Sequence, residues 1–260
     1  MTDQLRADAA RLLREARAVV VFTGAGISAE SGVATFRDAL TGLWERYDPQ
    51  QLATAEAFHA APDLVWGWYE WRRALVSRAR PNAGHHAVAA IEAHAPSTVV
   101  VTQNVDDLHE RAGTRALVRL HGSLFAPRCV RCAAPASLPP PPGDTPEGGG
   151  RIPPPSCVEC DGPVRPGVVW FGESLPEDQL AAAVRAASTC DLLLTVGTSA
   201  VVYPAAEIPR VAARHGAPVV QVNPYETPLD ALADINLRGP AGQVLPALVA
   251  AAWPDAGGAR

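Results

Sequence analysis

The chain has 260 residues, 48% of them apolar, enough to bury one large α/β core with a smaller lobe attached. Its net charge of −5 gives no general attraction to nucleic acid or to an anionic membrane. Every strongly basic side chain is arginine, so a catalytic lysine is excluded.

The first residues carry no basic segment followed by an apolar one, so no signal peptide is expected. No apolar run reaches the roughly 20 residues that span a bilayer, and a cytoplasmic, membrane-free monomer is expected. Residues 4–17 place Leu5, Ala9, Leu12, Leu13 and Ala16 at helical spacing. Residues 18–22 (AVVVF) are short, apolar and β-branched, and read as a buried parallel strand. Similar runs recur at 98–102, 192–196 and 218–222, with helical patterns around 85–94, 177–188 and 204–215. This alternation predicts an α/β fold: a Rossmann-like parallel sheet with helices on both faces.

Two stretches interrupt that rhythm. Residues 39–80 are helical in pattern and rich in tryptophan, and residues 126–165 hold four cysteines. The expected layout is a main domain of 1–38, 81–125 and 166–260. A smaller lobe then combines the helical insertion 39–80 with the cysteine module 126–165. In such sheets, ligands bind beyond the carboxyl ends of the strands.

Directly after the first strand comes Thr23-Gly24-Ala25-Gly26-Ile27-Ser28, followed by Ala29. Glycine lets a backbone turn tightly and approach a phosphate, and a following helix N-terminus favours the negative charge. The same residues also suit an ordinary strand-to-helix turn. The loop departs from the dehydrogenase fingerprint, because Glu45 and Asp48 fall in the helical stretch instead of ending a second strand. A plain hydride-transfer enzyme is therefore disfavoured.

The next strand ends in Gln103-Asn104-Val105-Asp106. Amide and carboxylate groups there suit a ribose or a carboxamide, although Asn104 or Asp106 would serve equally as a helix cap. His121 follows in Leu120-His121-Gly122; it fits proton transfer near neutral pH or a structural role. Gly197-Thr198-Ser199 and Asn223 end the last two strands.

Cys129-x-x-Cys132 and Cys157-x-x-Cys160 form paired units with metal-ligand spacing. Four thiolates close a tetrahedron and leave no position for water, so the zinc is expected to be structural; a redox pair is the alternative. The spacer 133–156 is rich in proline and glycine and is expected to form a mobile surface loop. Cys190 is expected to be a buried core thiol.

Six segments resemble the sirtuin signatures, in the sirtuin order. They are GAGISAESGVATFR (24–37), TQNVDDLHERAG (102–113), LHG (120–122), GVVWFGE (167–173), GTSAVVYPAA (197–206) and QVN (221–223). The resemblance implies an NAD-dependent protein-lysine deacylase that yields nicotinamide and O-acyl-ADP-ribose. It places Gly24, Ala25, Gly26 and Ser28 at the NAD diphosphate, and Phe36 and Arg37 beside the nicotinamide ribose. Gln103, Asn104 and Asp106 would hold nicotinamide and its ribose, with Asp106 receiving the carboxamide. Gly197, Thr198, Ser199, Asn223 and Ala241 would form the adenosine side. In the implied reaction, the acyl oxygen attacks C1′ of the nicotinamide ribose and nicotinamide leaves. His121 then acts as general base on a ribose hydroxyl. The segments containing Val169, Trp170, Phe171 and Gly172, and Ala200 to Tyr203 including Val202, would hold the peptide as an added strand.

Tyr69 and Arg72 stand at i, i+3 and share a helix face. This Y-x-x-R pair resembles the subgroup that removes succinyl and malonyl groups, as does LATAEAF (52–58), where Ala53 leaves the acyl pocket roomy. Arg72 would grip a carboxylate and Tyr69 would add a hydroxyl donor; Arg73 is the alternative anchor. Other readings are a deacetylase without that preference, an NAD-dependent ADP-ribosyltransferase, or a non-enzymatic binding module.

Overall fold

A computed structural model describes residues 3–34, 52–141 and 148–254. Helix α1 (Asp3–Glu15) leads into strand β1 (Ala18–Thr23). Next come α2 (Ala55–Ala60), α3 (Pro62–Arg78), α4 (Ala83–His94), β2 (Ser97–Thr102), α5 (Leu108–Arg111) and β3 (Leu117–Arg119). Strands β4 (Gly122–Cys129) and β5 (Val164–Val168) pair with each other. The chain ends with α6 (Glu177–Thr189), β6 (Leu192–Val196), α7 (Ile208–Arg214), β7 (Val219–Val222), β8 (Ile235–Leu237) and α8 (Ala241–Ala252). The expected helical content of 39–51 and the residues Phe36 and Arg37 lie outside the described residues.

Six parallel strands are ordered β3-β2-β1-β6-β7-β8. Strand order therefore reverses between β1 and β6, the point where an open α/β sheet leaves a crevice. The period-2 alternation of a strand explains both layers. Val19, Val21, Leu192 and Leu194 pack against α1, α4 and α8, through Leu13, Ile91 and Leu248 among others. Val20, Phe22 and Leu193 point the other way, onto Ala183 and Ala187 of α6 and Ile208 and Ala212 of α7. No helix among the described residues is long and apolar enough to cross a membrane.

A third core holds the smaller lobe. Phe58, Val65, Trp66, Trp68 and Tyr69 pack with Leu124, Cys129, Cys157 and Trp170. The boundaries expected at 125/126 and 165/166 cut through β4 and β5. The antiparallel ribbon runs on either side of both boundaries, because its cross-strand hydrogen bonds reach back to Gly122 and Val168.

The expectation of a mobile spacer is corrected for its described flanks. Gly149 is buried against α3, with φ +84, and a Cβ there would stand 1.9 Å from the Gly67 oxygen. Arg151 pairs with Asp63 at 2.9 Å, Ile152 donates its N–H to the Asp63 oxygen, and Arg73 donates to the Pro139 carbonyl. The spacer thus clamps the helix that carries Tyr69 and Arg72.

Candidate active site

The two loops at the switch point fix each other. Gly24 donates its N–H to the Val196 carbonyl at 3.0 Å, and Gly26 to that of Gly197 at 2.8 Å. A Cβ on Gly26 would lie 2.7 Å from the Gly197 backbone, and one on Gly24 2.8 Å from the Thr198 Cα. The demand for glycine here is thus made first by the neighbouring loop, not by a phosphate alone. Gly197 adopts φ +60, and a Cβ would meet the Ile27 nitrogen at 2.4 Å. Asn82 caps α4 and donates to the Ile27 carbonyl and the Ser31 hydroxyl, tying the glycine loop to that helix. Glu30 accepts the Gly242 N–H at the start of α8, where a carboxylate is favoured. Asn82 carries no sequence signature; only the assembled fold brings it to the loop.

The Ser28 side chain faces the loop that follows β2. It is fully buried, and its hydroxyl donates to the Asp106 carboxylate at 2.9 Å while accepting from the Asn104 side chain at 3.3 Å. That hydroxyl is bound on the Asp106 side of the loop. Asp106 also accepts the Leu108 N–H at 3.1 Å, at the start of α5, whose N-cap position is Asp107. Burial pushes its carboxyl upward, partly offset by the Leu108 and Ser28 hydrogen bonds. Gln103 donates its side-chain N–H to the Thr198 hydroxyl at 2.9 Å, bringing together two residues expected at opposite ends of the dinucleotide. Asn223 donates to the Thr198 carbonyl, Ser199 is half-buried beside them, and Ala25 is half-buried in the first loop. Ala241 is 3% exposed and its methyl packs in the core, so only its main chain remains for a ligand.

His121 lies at the end of this row, half-buried, with Nδ1 2.9 Å from the Gln103 carbonyl. A carbonyl can only accept, so Nδ1 carries the proton and Nε2 is left as the basic nitrogen. Burial lowers the imidazole pKa, and the Gln103 carbonyl raises it in part.

Next to His121 runs the segment 169–172. Val169 donates its N–H to the His121 carbonyl at 2.9 Å, and Phe171 donates to that of Ala53 at 2.8 Å. Phe171 and Gly172 are exposed, as is Tyr203, while Val202 is half-buried. The Trp170 indole is buried, with Phe58 tilted against it at 5.3 Å and the Arg165 guanidinium 3.4 Å from the ring centroid, and the residue's backbone N–H donates to the Glu173 carboxylate.

Tyr69 is buried, and its oxygen accepts the Trp170 indole N–H at 3.0 Å. Arg72 stands 4.8 Å over the Trp68 ring and 5.7 Å from the Tyr69 ring. It is half-buried and, among the described residues, makes no ion pair or hydrogen bond. Burial lowers its pKa, while the charges of Tyr69 and Asp106 act the other way. Arg73, the alternative anchor, is spent: both its Nε and a terminal nitrogen bind Glu70, at 3.1 and 2.7 Å.

The four cysteine sulfurs lie within 4.8 Å of one another, with Sγ distances of 3.5 Å (Cys129–Cys160), 3.5 Å (Cys132–Cys160) and 3.7 Å (Cys132–Cys157). Zinc–sulfur bonds of about 2.3 Å in a tetrahedron separate sulfurs by roughly 3.8 Å, so the cluster fits zinc. Arg131 and Glu159 donate N–H groups to Cys129 and Cys157, and the turns close on Ala133 and Asp161 at φ 60 and 57. The half-buried Cys190 is not part of this cluster.

The Sir2 family profile matches residues 24–204. An "NAD-dependent protein deacylase" of Methylococcus capsulatus is 60% identical over 239 residues, covering 92% of this chain and 94% of its own. "NAD-dependent protein deacylase 1" of Pseudomonas aeruginosa is 58% identical, covering 94% of this chain and 97% of its own. A solved Sir2 homolog–NAD complex is 45% identical, with a TM-score of 0.86, covering 96% of this chain and 93% of that one. With the order of its sheet, its switch-point loops and its four-cysteine cluster, the chain belongs to the Sir2 family.

Proposed function

We propose that this NAD-dependent protein-lysine deacylase prefers acyl groups that end in a carboxylate, succinyl and malonyl above acetyl. The observation that carries this reading is Arg72, a desolvated guanidinium with no carboxylate partner among the described residues. A cation taken partly out of water is costly unless an anion meets it, and a bound acidic acyl group supplies that anion. The half-buried Ala53, with its small side chain, leaves room near the segment that Phe171 extends.

NAD supplies an electrophilic ribose carbon with nicotinamide as leaving group. The Asp106 carboxylate, set by Ser28 and Leu108, is suited to accept a carboxamide N–H. His121, held through Nδ1, offers Nε2 to take a proton from a hydroxyl at the site. The charge that Asp106 exerts on Arg72 supports the acyl pocket and the carboxamide site being neighbours. Zinc, held by Cys129, Cys132, Cys157 and Cys160, is structural: its four thiolates leave no reactive position.

A charge-assisted hydrogen bond is worth roughly 1.5–3 kcal/mol, or about 10- to 150-fold in kcat/KM. Succinyl- and acetyl-lysine peptides of one sequence, assayed on wild type and Arg72→Met, test the reading. The succinyl-to-acetyl ratio is expected to fall by about that factor. An unchanged ratio removes Arg72 from acyl recognition; ADP-ribose attached to protein without an acyl group would favour the transferase instead.

A further inference from the structure

We propose that Trp170, braced by the Arg165–Glu173 pair, is a positioning residue that aims the Tyr69 hydroxyl proton at the acyl carboxylate. This rests on the acidic-acyl reading above and assigns a device to it.

An indole N–H has no lone pair to offer, so the Trp170–Tyr69 bond has one direction: Trp170 donates and the phenol oxygen accepts. The phenolic proton remains, and among the described residues no acceptor takes it, although Tyr69 is only 3% exposed. A phenol O–H prefers the plane of its ring, with two opposite orientations. An N–H arriving on one side fills that lone pair and leaves the other side to the proton. Removing the donor leaves both orientations open, and the hydroxyl then presents a proton or a lone pair indifferently. A lone pair facing a carboxylate is repulsive.

The donor is itself held on three sides. Arg165 stacks on the indole with its guanidinium 3.4 Å from the ring centroid. It binds Glu173 through both terminal nitrogens, at 2.5 and 2.9 Å, and also donates to the Val168 carbonyl at 3.0 Å. Glu173 in turn accepts the Trp170 backbone N–H at 2.9 Å, and Phe58 lies against the indole at 5.3 Å. On the far side, Tyr69 meets Trp68 edge-on at 4.6 Å, and Arg72 stands over Trp68. A continuous chain thus joins Glu173 to the free guanidinium.

The test measures kcat and KM for succinyl- and acetyl-lysine peptides on wild type, Trp170→Phe, Tyr69→Phe and the double variant. Trp170→Phe keeps an aromatic ring and removes the N–H. It is expected to lower the succinyl-to-acetyl ratio of kcat/KM by about 3- to 10-fold, mainly through the succinyl KM. In the Tyr69→Phe background, the same change is expected to leave the ratio where it is, since no hydroxyl remains to orient. Equal losses on both substrates, or ratio changes that multiply in the double variant, would overturn the proposal. If Trp170→Phe melts early, Glu173→Gln serves in its place: it removes the charge that fixes Arg165, and its ratio is expected to fall in the same direction. Arg72→Met in the same assay separates the two layers. A ratio that responds to Arg72→Met but not to Trp170→Phe sinks this device alone. A ratio indifferent to Arg72→Met sinks the acidic-acyl reading and this proposal with it.

Discussion

At the scale of single residues, His121 is the proposed base. Its burial holds the imidazole pKa below the ordinary 6.5, so the ring stays neutral, and Nε2 basic, at pH values where a solvated histidine is protonated. Protonation removes the base, so activity is lost as pH falls through that lowered pKa. The acid limb of kcat/KM is expected to have its midpoint below pH 6.5. A midpoint above 6.5 in a pH–rate profile would mean the base is not held as described. Candidate residues at this scale were legible in the sequence: the cysteines gather as their spacing implied, and His121, Asp106 and Arg72 could be named from their motifs. Their hydrogen bonds were not. Nothing in the string GAGIS says that the Ser28 hydroxyl is buried against Asp106, because that contact spans two strands and depends on the sheet. Nor does WFGE say that its tryptophan turns inward to Tyr69.

At the scale of elements, α3 packs against the cysteine module and carries Tyr69 and Arg72, the side chains proposed to receive the acyl group. Gly67 in its middle is a weak helix residue, yet a side chain there would meet the Gly150 oxygen at 2.3 Å. The helix accepts that cost so that the 148–152 strap can lie against it, fixed by Asp63 and Arg151. Gly149→Ala places a Cβ in a left-handed conformation and against the Gly67 carbonyl. It is expected to cost about 1–3 kcal/mol, seen as a lower urea midpoint at an unchanged m-value. An unchanged midpoint would show that the strap does not hold the helix. The four central strands of the main sheet could be read from their short apolar runs within a residue or two. The short strands β3 and β8 and the ribbon of β4 and β5 could not. Three residues give too little alternation, and PRC and VRPGV contain prolines that mask the pairing. The described flanks of the spacer depart from expectation for a similar reason: proline and glycine signal irregular backbone, and irregular backbone can still pack against a helix.

At the scale of the whole molecule, the sheet provides the crevice and the small lobe provides its wall. The β1–β6 reversal sets two glycine-containing loops edge to edge, β2 delivers Gln103 to Asp106, and the chain then passes His121 on its way into the zinc ribbon. That ribbon returns through Arg165 and Trp170 to touch α3, so the proposed acyl-binding face draws on both lobes. The central claim is that this junction receives an acid-tipped acyl lysine. A crystal structure of the protein with a succinyl-lysine peptide tests it most directly. The succinyl carboxylate is expected within about 2.7–2.9 Å of the Arg72 guanidinium, with the Tyr69 hydroxyl donating to it. A carboxylate left in solvent, with Arg72 still unpaired, would contradict it.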